Sequence, residues 1–158
     1  MTASPSIRIA RLYTSHGHNL FGHHGQPPGT HPLLEHHEIH CIAGRGIAGD
    51  RFFNHEENHS GQITFFALEV FQDLCGQLGV TGKHPGLTRR NVITTGVDLN
   101  TLIGAEFAVQ GVRFYGVEEC RPCYWMDQAI APGAEAALRQ RGGLRAKILT
   151  TGQLRTTP

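Results

Sequence analysis

The sequence is poor in cysteine, in net charge and in long apolar runs, and each shortage excludes a class of protein. Four cysteines in 158 residues are too few for a disulfide-stabilised scaffold, so a hydrophobic core must hold the fold. The formal net charge of +1 is far below that of a typical nucleic-acid-binding domain. No apolar run approaches the roughly 18 residues of a membrane helix, and the first residues contain no signal-peptide apolar block. We therefore expect a cytoplasmic protein that binds neither nucleic acid nor membrane.

Glycine and proline are abundant instead. They make up 28 of the 158 residues, against about 12% in average proteins, and this excess indicates many turns and a β-rich fold. The length suits one domain that spans residues 1–158, because two domains would each be small for a core. The sequence shows no internal repeat and no βαβ alternation. We predict a mostly β, barrel-like fold with a few peripheral α-helices.

Short apolar runs bounded by turn residues predict the strands. They lie at residues 7–13, 38–42, 62–66, 91–94, 106–109, 112–117 and 144–149. Gln110 and Gly111 join two of these runs and predict a β-hairpin. Apolar residues recur at helical spacing over residues 67–78 and stop at Gly79, which predicts the main helix. Pro132 begins a second helical segment that extends to residue 139.

Histidine is concentrated in one segment near the start of the chain. Eight of the eleven histidines lie within residues 16–40, and Pro27, Pro28 and Pro32 disfavour a regular element there. We interpret residues 14–37 as a His-rich loop insertion within the domain. Imidazole binds zinc, nickel and copper, so the segment is a speculative transition-metal site or, alternatively, a lid over a pocket. The candidate ligands are His16, His18, His23, His24, His36, His37 and His40.

The most informative motif for chemistry is Glu119-Cys120-Arg121-Pro122-Cys123-Tyr124-Trp125. Two thiols at this spacing can stabilise a thiolate, and the thiolate is the form that accepts sulfur or binds a soft metal. Four interpretations remain open. They are half of a zinc site, a thioredoxin-like redox pair, two structural buried cysteines, and a single working thiolate in a cofactor pocket.

Three further segments combine glycine or strand ends with arginine. Gly46-Ile47-Ala48-Gly49-Asp50-Arg51 predicts a turn that Asp50 fixes, and it lacks the Gly-Lys-Ser/Thr of a phosphate loop. The segments 88–91 and 141–147 place arginines where guanidinium groups can bind phosphate oxygens. Residues 83–158 carry ten cations and six anions, whereas residues 1–82 carry four and seven. The second half can therefore hold an anion.

Taken in order, these motifs resemble the MOSC family, the molybdenum cofactor sulfurase C-terminal domain. The resemblance covers residues 38–152 approximately. The matching segments are Gly46-Ile47-Ala48-Gly49-Asp50-Arg51, Thr88-Arg89-Arg90-Asn91-Val92, Gly96-Val97-Asp98-Leu99, Leu102-Ile103-Gly104, Cys120-Arg121-Pro122-Cys123 and Gly142-Gly143-Leu144-Arg145-Ala146.

The resemblance implies a barrel-like fold around a pocket for the molybdenum cofactor, molybdopterin. By resemblance Cys123 is the catalytic cysteine, as a molybdenum ligand or as a persulfide sulfur carrier, with Cys120 beside it. The residues that it assigns to cofactor binding are Arg51, Arg89, Arg90, Asn91, Arg121 and Arg145. Some family members are joined to a pyridoxal-phosphate desulfurase, but we identify no pyridoxal-phosphate site in this chain.

Three functions follow as hypotheses. The favoured one is enzymatic: a sulfurtransferase, or a component of a molybdenum-dependent oxidoreductase, that works with a cysteine desulfurase or a redox partner protein. The second is a non-catalytic module that binds the cofactor, or transition metals through the His-rich loop. The third is a thiol-disulfide redox protein that uses Cys120 and Cys123.

Overall fold

A computed structural model of the protein describes residues 6–17 and 32–158. Those residues form ten strands, three α-helices and two 3₁₀ turns. The strands are β1 (Arg8–Thr14), β2 (Leu34–His36), β3 (Glu38–Ile42), β4 (Gly46–Ile47), β5 (Ile63–Ala67), β6 (Val92–Thr95), β7 (Glu106–Val109), β8 (Val112–Glu119), β9 (Leu144–Ile148) and β10 (Gly152–Arg155). The helices are α1 (Leu68–Leu78), α2 (Trp125–Ala129) and α3 (Ala134–Ala137), and the 3₁₀ turns are Pro85–Thr88 and Leu99–Leu102.

Two sheets carry the fold, so the prediction of a mostly β protein with a few helices is confirmed. Seven strands follow the order β2-β1-β6-β5-β9-β8-β7, and a smaller sheet has the order β10-β3-β4. Within the described residues, no strand pairing joins the edge strands β2 and β7. The sheet is therefore not a closed barrel. The predicted hairpin is confirmed, because β7 and β8 pair antiparallel through Gln110 and Gly111.

The expectation that the chain lacks a βαβ pattern is wrong at one place. Strands β5 and β6 pair in parallel, and α1 connects them. The helix ends as predicted, with Gly79 in the left-handed conformation at φ 66°. The residues between Gly79 and β6 form a 3₁₀ turn and irregular structure. Hydrophobic periodicity therefore does not reveal that α1 connects two parallel strands. The motif of Cys120 and Cys123 lies outside this unit, after β8.

The core lies on both faces of the large sheet. Successive side chains of a strand point to opposite faces, and Phe65 and Phe66 of β5 are both fully buried, in separate clusters. On one face, Phe65 packs against Phe107 and Phe114, with ring centroids 5.5 and 5.3 Å away. On the other face, Phe66 belongs to the cluster that includes Leu74 of α1. This arrangement fixes β5 at the centre of the molecule.

The first strand pairs with segments that are distant in sequence. Strand β1 lies between β2 and β6. Beyond these pairings, the backbone N–H of Ile9 donates to Oγ1 of Thr157 at 3.0 Å, and the N–H of Thr157 donates to the carbonyl oxygen of Ile9 at 2.8 Å. The C-terminal residues thus complete the hydrogen bonding of β1.

The interpretation of residues 14–37 as a loop insertion in a single domain stays a prediction. Residues 18–31 lie outside the described residues. Thr14 belongs to β1, and Leu34–His36 forms strand β2 at the edge of the large sheet. No helix among the described residues is long and apolar enough to cross a bilayer.

Gly116 provides a test of strand packing. A Cβ at this position would overlap the carbonyl oxygen of Leu102, so we expect Gly116→Ala to lower the free energy of unfolding by about 2 kcal/mol or more. Gly76 in α1 is the matched control, because a Cβ there meets nothing within 4 Å, and alanine favours helix by roughly 0.5–1 kcal/mol. Urea denaturation measures both. Equal stability of the two variants would contradict the packing at Gly116.

Candidate active site

A cavity of about 360 Å³ lies beside β5 and β9 and is also lined by the segments just before β6 and just after β8. It collects most of the residues that the sequence singles out, although they lie in four separate segments. The predicted site residues in its lining are Arg51, Arg89, Arg90, Cys120, Arg121, Cys123 and Arg145. A second cavity of about 340 Å³, beside Val70 and Leu99, contains neither cysteine nor histidine in its lining.

The cysteine loop packs against the start of β9. The backbone N–H of Cys120 donates to the carbonyl oxygen of Gly143 at 2.8 Å, and the N–H of Gly142 donates to Oε2 of Glu119 at 3.1 Å. A Cβ on Gly142 would overlap the carbonyl oxygen of Cys120. Only glycine therefore allows the two backbones to approach this closely.

The two cysteines of the motif have different surroundings. Cys120 is buried, whereas Cys123 is partly exposed in the cavity lining. The carbonyl oxygen of Cys123 accepts from the N–H of Met126 at 3.0 Å, just before α2. Trp125 anchors that helix by donating from Nε1 to the carbonyl oxygen of Leu87 at 3.1 Å. Of the two thiols, Cys123 is the more accessible to a ligand.

All four cysteines of the chain are free thiols. Burial raises the pKa of Cys41 to about 12, and burial also raises the pKa of Cys75. Both groups are thus poor nucleophiles near neutral pH. Cys41 lies on β3, and neither Cys41 nor Cys75 lines the cavity.

Arg90 holds the walls of the cavity together. Its guanidinium donates from Nε to the carbonyl oxygen of Gly142 at 3.0 Å and from Nη1 to that of Thr88 at 3.0 Å. Nη2 donates to the carbonyl oxygens of Cys120 and Arg121 at 2.9 and 3.3 Å. These four bonds satisfy most of its five N–H donors. The structure thus gives Arg90 a bracing position, and its predicted contact with a cofactor stays a prediction.

Asn91 also braces the fold. Its Oδ1 accepts from the backbone N–H and from Oγ1 of Thr64, both at 3.0 Å, and its Nδ2 donates to the carbonyl oxygen of Tyr13 at 3.1 Å. These bonds tie the start of β6 to β5 and β1. Asn91 is absent from the cavity lining, so its assignment to cofactor binding also stays a prediction.

Arg51 follows a turn that Asp50 fixes, as the sequence suggested. Buried Asp50 accepts from the backbone N–H groups of Ser15 and Phe52 at 3.1 and 3.3 Å, and Arg51 Nη1 lies 3.3 Å from Oδ1 of Asp50. Burial lowers the pKa of Arg51, and the Asp50 carboxylate opposes this shift. The Arg51 guanidinium also stacks 4.9 Å from the ring centroid of Phe52.

Arg89 has a guanidinium whose hydrogen-bond donors the protein does not fully satisfy. Its backbone adopts the left-handed conformation, at φ 59°, which turns the chain between the 3₁₀ turn and β6. Nη2 of Arg89 is buried and has no hydrogen-bond partner. Burial, helped by the charge of Arg51, lowers the pKa of Arg89 to about 10. The group is charged at neutral pH, and a bound anion would satisfy its free N–H groups.

Arg121 and Arg145 lie at the open side of the cavity. Arg121 is exposed. Arg145 Nη1 lies 3.5 Å from Oε1 of Glu118 and 3.5 Å from Oγ of Ser60. The Arg145 guanidinium can adjust to a ligand because its contacts are long and partly solvated. The Arg121 side chain can adjust because it is exposed.

His59 is a cavity residue that the sequence analysis missed. Its Nδ1 lies 3.1 Å from Oε1 of Glu56, and its ring stacks on Phe52 at 5.2 Å. Its Nε2 is buried and has no hydrogen-bond partner. The atoms that His55, Glu56 and His59 could offer to a metal ion lie within 4.8 Å of one another. The sequence signal for His59 is the spacing His-Glu-Glu-Asn-His at residues 55–59. It was missed because eight of the eleven histidines lie elsewhere, in residues 16–40.

The predicted metal-binding histidines are placed differently. His16, His37 and His40 are exposed, and Nε2 of His36 lies 2.7 Å from Oγ1 of Thr14. His18, His23 and His24 lie outside the described residues. Within residues 6–17 and 32–158, these histidines form no group of three metal-ligating side chains. Their metal-binding role stays a prediction.

Comparison with known proteins identifies the family of this chain. The sequence model of the MOSC domain matches residues 17–157. The chain belongs to the MOSC domain family. No curated protein sequence matches this MOSC domain at a significant level.

Solved structures share the fold of this MOSC domain. The YuaD protein from Bacillus subtilis superimposes with a TM-score of 0.77 at 17% identity, covering 99% of this chain and 94% of that one. YiiM from Geobacillus stearothermophilus gives 0.65 at 13% identity, with 94% and 71% covered. YiiM from Escherichia coli gives 0.61 at 13% identity, with 98% and 66% covered. At these identities the similarity establishes the fold alone.

Arg90 provides a test of the bracing contacts. A lysine ammonium has three donors on one nitrogen and cannot reproduce the four bonds that Arg90 makes from three nitrogens, so we expect Arg90→Lys to lower the free energy of unfolding by about 2 kcal/mol or more. The cysteine loop should loosen, and a thiol reagent should then modify Cys120 faster. Arg139→Lys is the control, because Arg139 is exposed. Unchanged stability and unchanged Cys120 modification would contradict the role of Arg90.

Arg89 provides a test of anion binding. We expect millimolar pyrophosphate to raise the Tm of the wild type and to raise that of Arg89→Gln much less, because a ligand that binds the folded state stabilises it. The effect should be lost as the pH rises through the Arg89 pKa of about 10, where the guanidinium loses its charge. Thermal unfolding measures it, with Arg139→Gln as control. An equal rise in Tm for the wild type and for Arg89→Gln would exclude Arg89 from the anion site.

Proposed function

We propose that this MOSC domain binds the molybdenum cofactor in the arginine-lined cavity and uses Cys123 as its working thiol. In one form of the proposal the Cys123 thiolate is the sulfur ligand of molybdenum. In the other form it carries sulfur as a persulfide. The observation that supports both is the placement of a partly exposed Cys123 in the same cavity lining as Arg89, whose Nη2 is a buried and unpartnered donor.

The residues fit this cofactor in charge and in donor type. The cofactor carries a phosphate group, and five guanidinium groups line the cavity. Guanidinium binds phosphate oxygens in bidentate fashion, and Arg89 has N–H groups free to do so. Thiolate is a soft ligand for transition metals. Arg89 and Arg51 would hold the phosphate, and Cys123 would hold the metal.

The chain's own residues would prepare the cavity for the reaction. When bound, the cofactor supplies redox chemistry at its metal. Arg90 fixes the backbone of Cys120 and Arg121, and Trp125 fixes the start of α2. Cys123, which lies between these anchors, is held by both. Asp50 fixes the turn that carries Arg51. The site is thus pre-organised before a ligand arrives.

Persulfide transfer would use the same thiol. The Cys123 thiolate would attack the outer sulfur of a persulfide on a cysteine desulfurase partner. A new S–S bond forms on Cys123, the donor's S–S bond breaks, and the donor cysteine leaves as a thiolate. In the redox form of the proposal, an electron-transfer protein would be the partner instead.

The different burial of the two cysteines makes Cys123 the thiol that can act alone. Cys120 is buried and held by its backbone bond to Gly143, whereas Cys123 is partly exposed. Single-thiol chemistry at Cys123 therefore needs no movement of Cys120. A non-catalytic protein that binds the cofactor would use the same contacts. Turnover assays distinguish such a binding module from an enzyme.

Cys123→Ser tests the proposal most directly. Full-length protein from a host that makes molybdenum cofactor should contain molybdenum, and the variant should lose nearly all of it, because a serine hydroxyl is a poor ligand for a soft site. Cys75→Ser is the matched control, since Cys75 is another partly exposed thiol and is absent from the cavity lining. Elemental analysis gives the metal content.

Intact mass measurement completes the design. A wild type without molybdenum that gains one sulfur atom on Cys123 after exposure to a desulfurase would support the persulfide form. Molybdenum retained equally in the wild type and Cys123→Ser would exclude Cys123 as the ligand. A wild type that carries neither molybdenum nor persulfide sulfur would overturn the proposed function.

A further inference from the structure

The imidazole of His59 is held in one orientation at the edge of the arginine-lined cavity. Its ring stacks on Phe52 with an interplanar angle of 21°, and Nδ1 is bound to Glu56 at 3.1 Å. The residue is 8% exposed. These contacts leave Nε2 as the free end of the ring, buried and without a partner.

The partner of Nδ1 determines what Nε2 can do. The Glu56 side chain is largely exposed, and an ionised carboxylate only accepts hydrogen bonds. Nδ1 must therefore carry the proton of that bond. In a neutral imidazole the other nitrogen is then an acceptor. Nε2 of His59 thus carries a lone pair without a partner, on a residue of the cavity lining.

The surroundings of Nε2 keep the ring neutral. A Cβ on Gly61 would lie 3.2 Å from Nε2 of His59 and 3.5 Å from Nε of Arg145, so both side chains border Gly61. Burial lowers the pKa of His59, and the charges of His55 and Arg145 lower it further, whereas Glu56 acts in the opposite direction. Positive charge nearby opposes a proton at Nε2, and it opposes a metal cation at the same atom.

The cavity lining consequently holds an unpartnered acceptor among many donors. Guanidinium groups donate and never accept, and five of them line the cavity. A buried acceptor without a partner costs free energy, and a ligand that donates to it would recover that cost.

We propose that His59 is a specificity-determining residue, and that the bound ligand donates an N–H or O–H group to its Nε2 while an anionic group of the ligand binds the arginines. Glu56 is a positioning residue that sets the tautomer of His59. The inference rests on the proposed function in taking this cavity as the ligand site. It adds the chemical class: an anion that carries a ring N–H or a hydroxyl, as a pterin does.

Nitrogen NMR tests the tautomer without any ligand. In protein labelled with ¹⁵N-histidine, the His59 signals are those that disappear in His59→Gln. We expect the Nδ1–H tautomer near pH 7, with Nε2 unprotonated. Glu56→Gln should shift the ring toward the other tautomer, because the amide can also donate. A proton on Nε2 of the wild type at pH 7 would overturn the proposal.

Two probes then test the ligand class. Guanosine monophosphate has a phosphate and a ring N–H, whereas pyrophosphate has only the anion. We expect guanosine monophosphate to shift the Nε2 resonance and pyrophosphate to leave it nearly unchanged. No response to guanosine monophosphate in millimolar excess, or an equal response to both probes, would also overturn the proposal.

Substitutions separate hydrogen bonding from packing. His59→Leu should weaken guanosine monophosphate binding about five-fold, the value of one net hydrogen bond, with pyrophosphate binding unchanged. His59→Gln places an amide oxygen near the position of Nε2 and should restore most of the affinity. His84→Gln is the control, because His84 is exposed and absent from the cavity lining. Equal affinity in His59→Leu and the wild type would exclude the hydrogen bond.

Molybdenum content distinguishes the two proposals. If the wild type holds molybdenum, His59→Leu should retain several-fold less than His59→Gln, and equal retention by both variants would count against His59. If the wild type holds none while His59 responds to guanosine monophosphate as expected, the proposed function fails and the role of His59 stands.

Discussion

The guanidinium of Arg90 donates to carbonyl oxygens from three separate segments of the chain. It joins Thr88 before β6, Gly142 before β9, and Cys120 with Arg121 after β8. A buried charge is tolerated only where hydrogen bonds replace its lost hydration. The three segments must therefore converge on Arg90, and the cavity lies where they do. The glycine at 142 is a consequence, because a Cβ there would overlap the carbonyl oxygen of Cys120 in the cysteine loop. A Cβ on the neighbouring Gly143 would overlap the carbonyl oxygen of Phe65 in β5.

The arginines of the cavity differ in how far the protein itself satisfies their charge and their hydrogen-bond donors. The donors of Arg90 are largely satisfied by backbone carbonyls, whereas Arg89 keeps a buried Nη2 without a partner. Asp50 balances Arg51 from one side. The folded chain thus carries desolvated positive charge that its own residues do not neutralise, and an anionic ligand would offset this cost. His59 adds a lone pair in the same lining, so charge and hydrogen bonding together restrict the ligand.

Local signals in the sequence predicted much of the fold. Strand β3, the β7–β8 hairpin and the end of α1 at Gly79 follow from alternation, turn residues and helical spacing. The parallel pairing of β5 with β6 was missed, because no local pattern states which strands become neighbours. Strands β2 and β10 were missed for the same reason. Each is short and lacks a strong apolar alternation, and each is fixed by a distant partner.

The candidate site was predictable to a similar extent. Cys123 and the arginines could be selected by motif order, and the cavity brings them together. The bracing positions of Arg90 and Asn91 could not be predicted, because both depend on carbonyl groups or side chains far away in sequence. The histidine spacing at residues 55–59 was a sequence signal for His59, but the unpartnered Nε2 is a property of packing that the sequence does not show.

The position of β1 between its partners has a consequence for synthesis of the chain. Ile9 pairs in the sheet with Thr94 and exchanges two hydrogen bonds with Thr157. A ribosome that adds about 5–20 residues per second needs roughly 4–17 seconds to pass from Ile9 to Thr94. During that time β1 has only β2 as a partner, and β2 is three residues long. The edge of β1 that β6 later covers therefore stays unpaired until β6 emerges, and Arg8 and Arg11 are the charges on the strand that disfavour its pairing with another chain.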